Sequence, residues 1–168
     1  MSMPLINLPT DELVGCAWVA SIEGFSPSIV ATQLPDPALK DGSPAPWVVT
    51  PPYGFVQVTV VGGDEDPLLP IYRPVFQLDC WATKPGSNKP PWYRANRLAR
   101  NISVATRNRI NVSRLLTISA NGVQYPSAMV QAATVLTSPR RMWDDAGDFA
   151  RYTMDVRMQW IMPGETLD

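Results

Sequence analysis

The placement of proline restricts the fold of this chain more than any other feature of its sequence. Thirteen of the 18 prolines lie between Pro27 and Pro91, and only three follow that stretch. Proline has no backbone N–H, so it interrupts helices and is excluded from central strands of a sheet. The first half must therefore combine short regular elements with extended connections. Residues 34–52, which lack any periodicity, are predicted to form a peripheral loop.

The remaining composition indicates one folded domain. The chain has 168 residues, of which 45% are hydrophobic and 17% are charged, a balance typical of globular proteins. No run of residues approaches the roughly 18 apolar positions that a membrane span needs. The N-terminal residues also lack the basic start and the cleavage pattern of a signal peptide. We therefore predict a single domain over residues 1–168, with no membrane partner.

Hydrophobic periodicity predicts an α+β fold. Apolar residues recur at helical spacing from about Asp11 to Ile22 and from about Trp92 to Asn108. Elsewhere apolar and polar residues alternate with the period of a β-strand. The predicted strands are Phe55–Val61, Tyr72–Ala82, Ala128–Ser138 and Phe149–Ile161, with shorter ones near 28–32 and 115–119. This order predicts a single, mostly antiparallel sheet with two helices packed on one face.

Residues that could perform catalysis are sparse. The chain has no histidine, which removes the commonest general base and the usual zinc ligand. Acidic groups at 64–66 and 144–148 offer oxygen ligands for a divalent cation, but they lack calcium-loop spacing and are more simply explained as solvated turns. Cys16 and Cys80 are predicted to be buried free thiols. We therefore expect a non-enzymatic protein with no metal, cofactor or catalytic residue; a metal-dependent enzyme is the alternative that the acidic groups leave open.

Charge is distributed unevenly along the chain. Residues 1–91 hold four basic residues and nine carboxylates, a net charge of −5, whereas residues 92–168 hold ten arginines and six carboxylates, a net charge of +4. Six of those arginines fall between Trp92 and Arg114 without an intervening carboxylate. Such a segment can contact phosphates and stack bases, or it can meet acidic groups of a neighbouring subunit. We favour the subunit contact, because the other half of the same chain is acidic.

Three segments give the chain a resemblance to a known family. They are PVFQLDCWA at 74–82, ANRLARNI at 95–102 and ARYTMDVRMQWI at 150–161, preceded by a short helix and by GFVQVTVVGG at 54–63. In this order they resemble the tail terminator proteins of long-tailed bacteriophages over most of residues 10–162. The Pro-rich segment 34–52 is longer than in that pattern, which leaves the outer surface of any assembly undefined.

The resemblance implies a structural virion protein. It implies a small α+β domain that assembles in the host cytoplasm into a ring, usually a hexamer, at the head-proximal end of the tail tube. The ring would end tube growth and join the tail to the head connector, with packaged DNA passing through its lumen without sequence-specific contact. The implied partners are other copies of the chain, the tail tube protein and a head–tail connector or closure protein. Alternatives are a head-closure or neck connector ring and a nucleic-acid-binding module that uses residues 92–114.

Two sets of residues are predicted to make the assembly contacts. Charged residues of the second helix and the last strand would face a neighbouring subunit: Arg94, Arg97, Arg100, Asp155 and Arg157. Residues near two hairpin ends would touch the tube or the connector: Asp64, Glu65, Arg140, Arg141, Trp143 and Asp144. Tryptophan and arginine are among the residue types most enriched where interfaces gain their binding energy.

Overall fold

A computed structural model describes residues 7–143 and 148–164 of the chain, and only the backbone of Asn111. The helices are α1 (Asp11–Ala20), α2 (Pro46–Val49), α3 (Trp92–Arg107) and α4 (Arg109–Val112). The strands are β1 (Val30–Ala31), β2 (Phe55–Glu65), β3 (Ile71–Thr83), β4 (Arg114–Ala120), β5 (Val123–Met142) and β6 (Phe149–Ile161). Within these residues, no helix is long and apolar enough to cross a membrane.

One six-stranded sheet organises the fold, with strand order β1-β2-β3-β6-β5-β4. β1 runs parallel to β2, whereas the other neighbouring strands are antiparallel. The α+β class is confirmed, but the prediction of a mostly antiparallel sheet is corrected to a mixed sheet. The physical reason is the long Pro-rich connection between β1 and β2, since parallel neighbours need a crossover of a dozen residues or more.

Both long helices lie on the same face of the sheet. Gly15 of α1 faces Phe76 so closely that an added Cβ would stand 2.7 Å from the ring. Ala95 of α3 packs against Ala82. Phe76 and Ala82 are both even-numbered positions of the regular strand β3, so their side chains point to one face. The one-turn helices α2 and α4 add to the two helices that periodicity predicted.

The sheet is curled around α1. Its edge strands β1 and β4 lie at opposite ends of the strand order, yet both contact α1. Val14 and Trp18 of α1 are almost completely buried in the resulting core. A cavity of about 510 Å³, lined by residues that include Cys16 and Leu116, remains between α1 and the two edges.

The alternation predicted for the last strand is confirmed in β6, which pairs with β3 on one side and β5 on the other. Its even-numbered side chains from Met154 to Trp160 are buried on the helix face. The Trp160 indole donates a hydrogen bond to the Asp11 carboxylate at 2.9 Å, which ties the strand to the first turn of α1. The odd-numbered side chains form an outer face that neither long helix covers.

The Pro-rich segment needs one correction. Residues 34–44 are exposed or half-buried, as a peripheral loop would be, but Ala45, Trp47 and Val48 are buried in the core. The reason is α2, which begins at Pro46, because proline is tolerated in the first turn of a helix. This turn places Trp47 edge-on against Phe55, with ring centroids 5.8 Å apart.

Two strands are longer than the alternation predicted. β2 passes through the predicted turn at Gly62 and continues to Glu65, with a register shift between Val60 and Gly62. β5 continues beyond Ser138 to Met142, with register shifts at three places. A bulge adds a residue and changes which side chains share a face. These shifts decide where Arg140 and Arg141 point.

Candidate functional site

The two hairpin ends predicted to make contacts lie at opposite ends of the sheet. In the β3–β6 pair, Ile71 is opposite Ile161 and Thr83 is opposite Phe149. The β2–β3 loop at 66–70 therefore leaves one end, and the β5–β6 connection leaves the other. The first end carries Asp64 and Glu65, whereas the second carries Arg140, Arg141 and Trp143. Asp144 lies outside the described residues.

The acidic end is held together by its own contacts. Arg73 forms a salt bridge to Asp64 at 2.9 Å, and its hydrogen bond lowers the pKa of that carboxyl. The carboxylate of Asp66 accepts the backbone N–H of Leu68 and of Leu69, both at 2.9 Å, which lowers its pKa as well. Glu65 stays exposed. Across residues 7–143 and 148–164, no group of three or more Cys, Asp or Glu side chains is placed to hold a metal ion.

At the opposite end, Arg141 is held against two tryptophans. The carbon of its guanidinium lies 4.1 Å from the Trp92 ring centroid and 4.9 Å from that of Trp143. Trp92 is the first residue of α3, and Trp143 follows β5 with 78% of its surface exposed. The Nε of Arg141 is buried and finds no hydrogen-bond acceptor within residues 7–143 and 148–164. The register of β5 turns Arg141 toward the helix face, opposite Tyr152.

Arg94 has a similar setting on the first turn of α3. Its guanidinium carbon lies 4.7 Å from the Tyr53 ring centroid and 5.8 Å from that of Tyr93. Its Nε donates to the Tyr93 hydroxyl at 3.1 Å, and this hydrogen bond lowers the pKa of Tyr93. The sequence assigned Arg94 and Arg141 to different contacts, but the structure places both beside the first turn of α3. We call the residues of these two groups the aromatic–arginine cluster: Tyr53, Tyr93 and Arg94 in one group, and Trp92, Arg141 and Trp143 in the other.

The remaining arginines of α3 form an exposed row. Arg97 makes only a long hydrogen bond, at 3.5 Å, to the carbonyl of Pro52. Arg100 and Arg107 border a cleft of about 360 Å³ between α3 and β5, together with Ser103 and other hydroxyl side chains. None of the arginines of α3 forms a salt bridge with a carboxylate of the described residues. The row is therefore a positively charged surface that no carboxylate of the described residues neutralises through a salt bridge.

The outer sheet face carries a buried polar group that sequence reasoning missed. The Asp79 carboxylate accepts from Arg151 Nε at 3.0 Å, from the Thr153 hydroxyl at 2.6 Å and from Gln77 Nε2 at 3.1 Å. Arg151 also lies over the Trp81 ring, 5.0 Å from its centroid. Asp79 and Thr153 are only 5% and 1% exposed. We call these five residues the Asp79 centre: Gln77, Asp79, Trp81, Arg151 and Thr153.

Asp155 and Arg157 also lie on the outer face, as their alternation predicted. The Asp155 carboxylate accepts from the Thr137 hydroxyl at 3.0 Å and lies 3.8 Å from Arg140 Nη1. The sequence analysis assigned Asp155 and Arg140 to different partners, whereas the bulges of β5 bring them together within one subunit. Arg157 is exposed. The outer face is thus polar but largely satisfied by its own contacts.

Known proteins add no further identification. No protein-family model matches the chain. No curated protein matches it significantly either. The function must therefore be inferred from the residues and contacts described above.

Proposed function

We propose that this protein is the tail terminator of a long-tailed bacteriophage. In this role it is a structural virion protein that forms a ring at the head-proximal end of the tail tube, ends tube growth and joins the tail to the head connector. The observation that carries the proposal is the placement of two chemically different hairpin ends at opposite ends of one sheet. A ring subunit that meets one protein above and another below needs two such ends.

The two broad sides of the subunit suit a ring as well. One side bears the exposed row of α3, with Arg97 and Arg100, and the other is the polar outer face, with Asp155 and Arg157. Because these sides differ, a contact between copies would join unlike patches. Contacts of this kind close into a ring when the rotation between subunits allows it. Arg97 and Arg100 would then meet carboxylates of the next subunit.

The size of the purified protein in solution tests the ring. We expect one discrete oligomer that dissociates when salt is raised, because exposed charge pairs are screened. The double variant Arg97→Glu with Arg100→Glu should shift the protein toward a folded monomer. The matched control, Arg107→Glu with Arg109→Glu, reverses the same charge at the far end of the helical segment and should keep the oligomer. Equal effects of both pairs would contradict the proposed subunit contact.

The role at the tail requires a second experiment. Loss of this gene from the phage that encodes it should yield overlong tails that are not joined to heads. Images of complete particles should show the ring between the tube and the connector, in contact with the tube. A ring that touches only the connector would instead favour the head-closure or neck protein.

The unpaired row of α3 arginines favours one further candidate, a nucleic-acid-binding module. Phosphate contacts by several arginines give strong, salt-dependent binding to duplex DNA. If Arg97→Glu with Arg100→Glu abolishes DNA binding while the oligomer stays intact, this candidate replaces the terminator. If the same variant dissociates the oligomer and the parent protein binds no DNA, the terminator proposal is supported.

The proposal gives the protein no enzymatic activity. Of the acidic residues at 64–66, Asp64 is engaged by Arg73 and Asp66 by backbone N–H groups. A metal-dependent nuclease activity of the purified protein that is lost in Asp64→Ala would contradict this part of the proposal.

A further inference from the structure

We infer that the aromatic–arginine cluster binds an acidic segment of a partner protein through the guanidinium groups of Arg94 and Arg141. The inference rests on the proposed function, because it names the chemistry of the protein that the ring meets at this end. Carboxylates are the expected partners, since the guanidinium group presents planar, paired donors that match their geometry.

The rings fix both guanidinium groups before any partner arrives. Arg141 lies within 5 Å of two tryptophan centroids, at 4.1 and 4.9 Å. Arg94 lies 4.7 Å from the Tyr53 centroid and donates to the Tyr93 hydroxyl. A long side chain that is already ordered loses less conformational entropy on binding. Neither arginine forms a salt bridge with the part of the chain that the structure describes.

The same chain contains a completed version of this arrangement. Arg151 lies over the Trp81 ring at 5.0 Å, and a carboxylate, that of Asp79, accepts from its Nε at 3.0 Å. Arg94 and Arg141 have comparable ring contacts but no such carboxylate among the described residues. A carboxylate from a partner would complete the arrangement around Arg94 and Arg141 in the same way.

Arg141 adds an independent observation. Its Nε is buried and has no acceptor among the described residues, and buried donors are nearly always hydrogen-bonded in folded proteins. A carboxylate that arrives beside the guanidinium can accept this N–H. The binding of an anion would thus remove an unfavourable feature of the isolated subunit.

An acidic polypeptide fits this end better than single-stranded nucleic acid. Bases need free aromatic faces on which to stack, but the rings of Trp92 and Trp143 each already have the Arg141 guanidinium against them. Trp143 and Tyr93 are the most exposed aromatic residues of the cluster, at 78% and 63%. They flank the guanidinium groups and offer contacts for apolar side chains between carboxylates.

Binding of a fluorescently labelled glutamate decapeptide to the full chain tests the inference. We expect binding that Arg94→Met with Arg141→Met weakens about tenfold or more. The control pair, Arg107→Met with Arg109→Met, removes the same charge from exposed positions outside the cluster and should weaken binding less than about twofold. A glutamine decapeptide should not bind. Circular dichroism verifies that each variant is folded.

Other results would overturn the inference. The first is that the glutamate peptide does not bind, and the second is that both double variants weaken its binding equally. The third is that a thymidine decanucleotide binds more tightly than the glutamate peptide and that the cluster variant abolishes this binding. Full binding by Arg94→Lys with Arg141→Lys would also overturn it, because lysine keeps the charge without the planar fork. A protein that forms the ring but does not bind the peptide refutes this inference alone, whereas a monomer that binds the peptide refutes the proposed function alone.

Discussion

The Asp79 centre and the aromatic–arginine cluster contain the same residue types but have different roles. In both, an arginine lies against an aromatic ring, Arg151 on Trp81 and Arg141 on Trp92. The Asp79 centre supplies a carboxylate, a hydroxyl and an amide to complete the arrangement, and its Asp79 and Thr153 side chains are buried. The cluster supplies no carboxylate from the described residues and has an exposed ring, Trp143.

The difference separates a group that holds the fold from one that is available to a partner. The Asp79 centre joins neighbouring strands β3 and β6, so its contacts stabilise the middle of the sheet. The cluster joins the start of α3 to the end of β5, at the edge of the molecule. Changes in the centre should therefore reduce stability, whereas changes in the cluster should affect binding.

The largest expected effect on stability is that of Asp79→Ala. It removes the carboxylate that accepts from Arg151 Nε and from the Thr153 hydroxyl, and breaking a buried ion pair in this way costs about 3 kcal/mol. Urea unfolding measures the change in the free energy of unfolding. The control Asp155→Ala removes a more exposed carboxylate whose arginine is 3.8 Å away, and it should cost less than about 1 kcal/mol. A similar loss of unfolding free energy in the two variants would show that Asp79 stabilises the fold no more than an exposed carboxylate does.

The reactivity of the Cys16 and Cys80 thiols gives a second way to compare the Asp79 centre with the aromatic–arginine cluster. Burial, with a smaller contribution from Glu12, raises the pKa of Cys16 to about 11, so its thiolate fraction at pH 8 should be about 100-fold below that of an ordinary thiol. Cys80 is fully buried on the helix face next to Asp79, and burial raises its pKa as well. In native protein Cys80 should react with a thiol reagent more slowly than Cys16. The Asp79→Ala variant should speed its reaction, but Arg94→Met with Arg141→Met should not.

The two sides of α3 provide the next test. Its outer side is open, but its inner side approaches Gly54 so closely that a Cβ there would stand 2.4 Å from Leu98 Cδ1 and 2.7 Å from the Trp81 carbonyl. Gly54→Ala should therefore cost about 2 kcal/mol through overpacking. Gly62→Ala is the control, because nothing lies within 4 Å of its added Cβ. Thermal unfolding of the two variants shows whether α3 is packed as tightly as this account requires.

The smallest expected effect on stability belongs to the cluster itself. Arg94→Met with Arg141→Met keeps apolar contact with the rings and should change the free energy of unfolding by less than about 0.5 kcal/mol. Arg151→Met, the matched change in the Asp79 centre, leaves Asp79 buried without its cation and should cost about 2 kcal/mol. Denaturant titrations of these variants under one condition provide the comparison. A larger loss in the cluster variant would show that its arginines hold the fold.

Sequence periodicity predicted the elements whose alternation is uninterrupted. The segment 149–161 alternates cleanly and forms β6, and the stripe from Ala95 to Ala105 is the buried side of α3. Periodicity failed to predict the structure where the backbone departs from regular strand pairing. The bulges of β5 change the faces of its side chains, and the short strand predicted near 28–32 gave no sign that β1 pairs parallel with β2.

The candidate site was only partly predictable for a related reason. The sequence identified Arg94, Arg141 and Trp143 as contact residues by their type, but the contact of Arg141 with Trp92 depends on how β5 and α3 meet. The Asp79–Arg151 pair joins residues 72 positions apart, and only the β3–β6 register brings them together. The sequence offered one hint of this pair, because Asp79 lies on the polar side of a strand that is otherwise strongly apolar.

The size of the purified, full-length protein in solution tests the central claim most directly. Light scattering over a range of protein concentrations at low salt should give one closed oligomer with a fixed number of subunits, and images of it should show a ring. The same oligomer should persist in Arg94→Met with Arg141→Met. A monomer at every concentration, or a series of open chains that lengthen as concentration rises, would contradict the account.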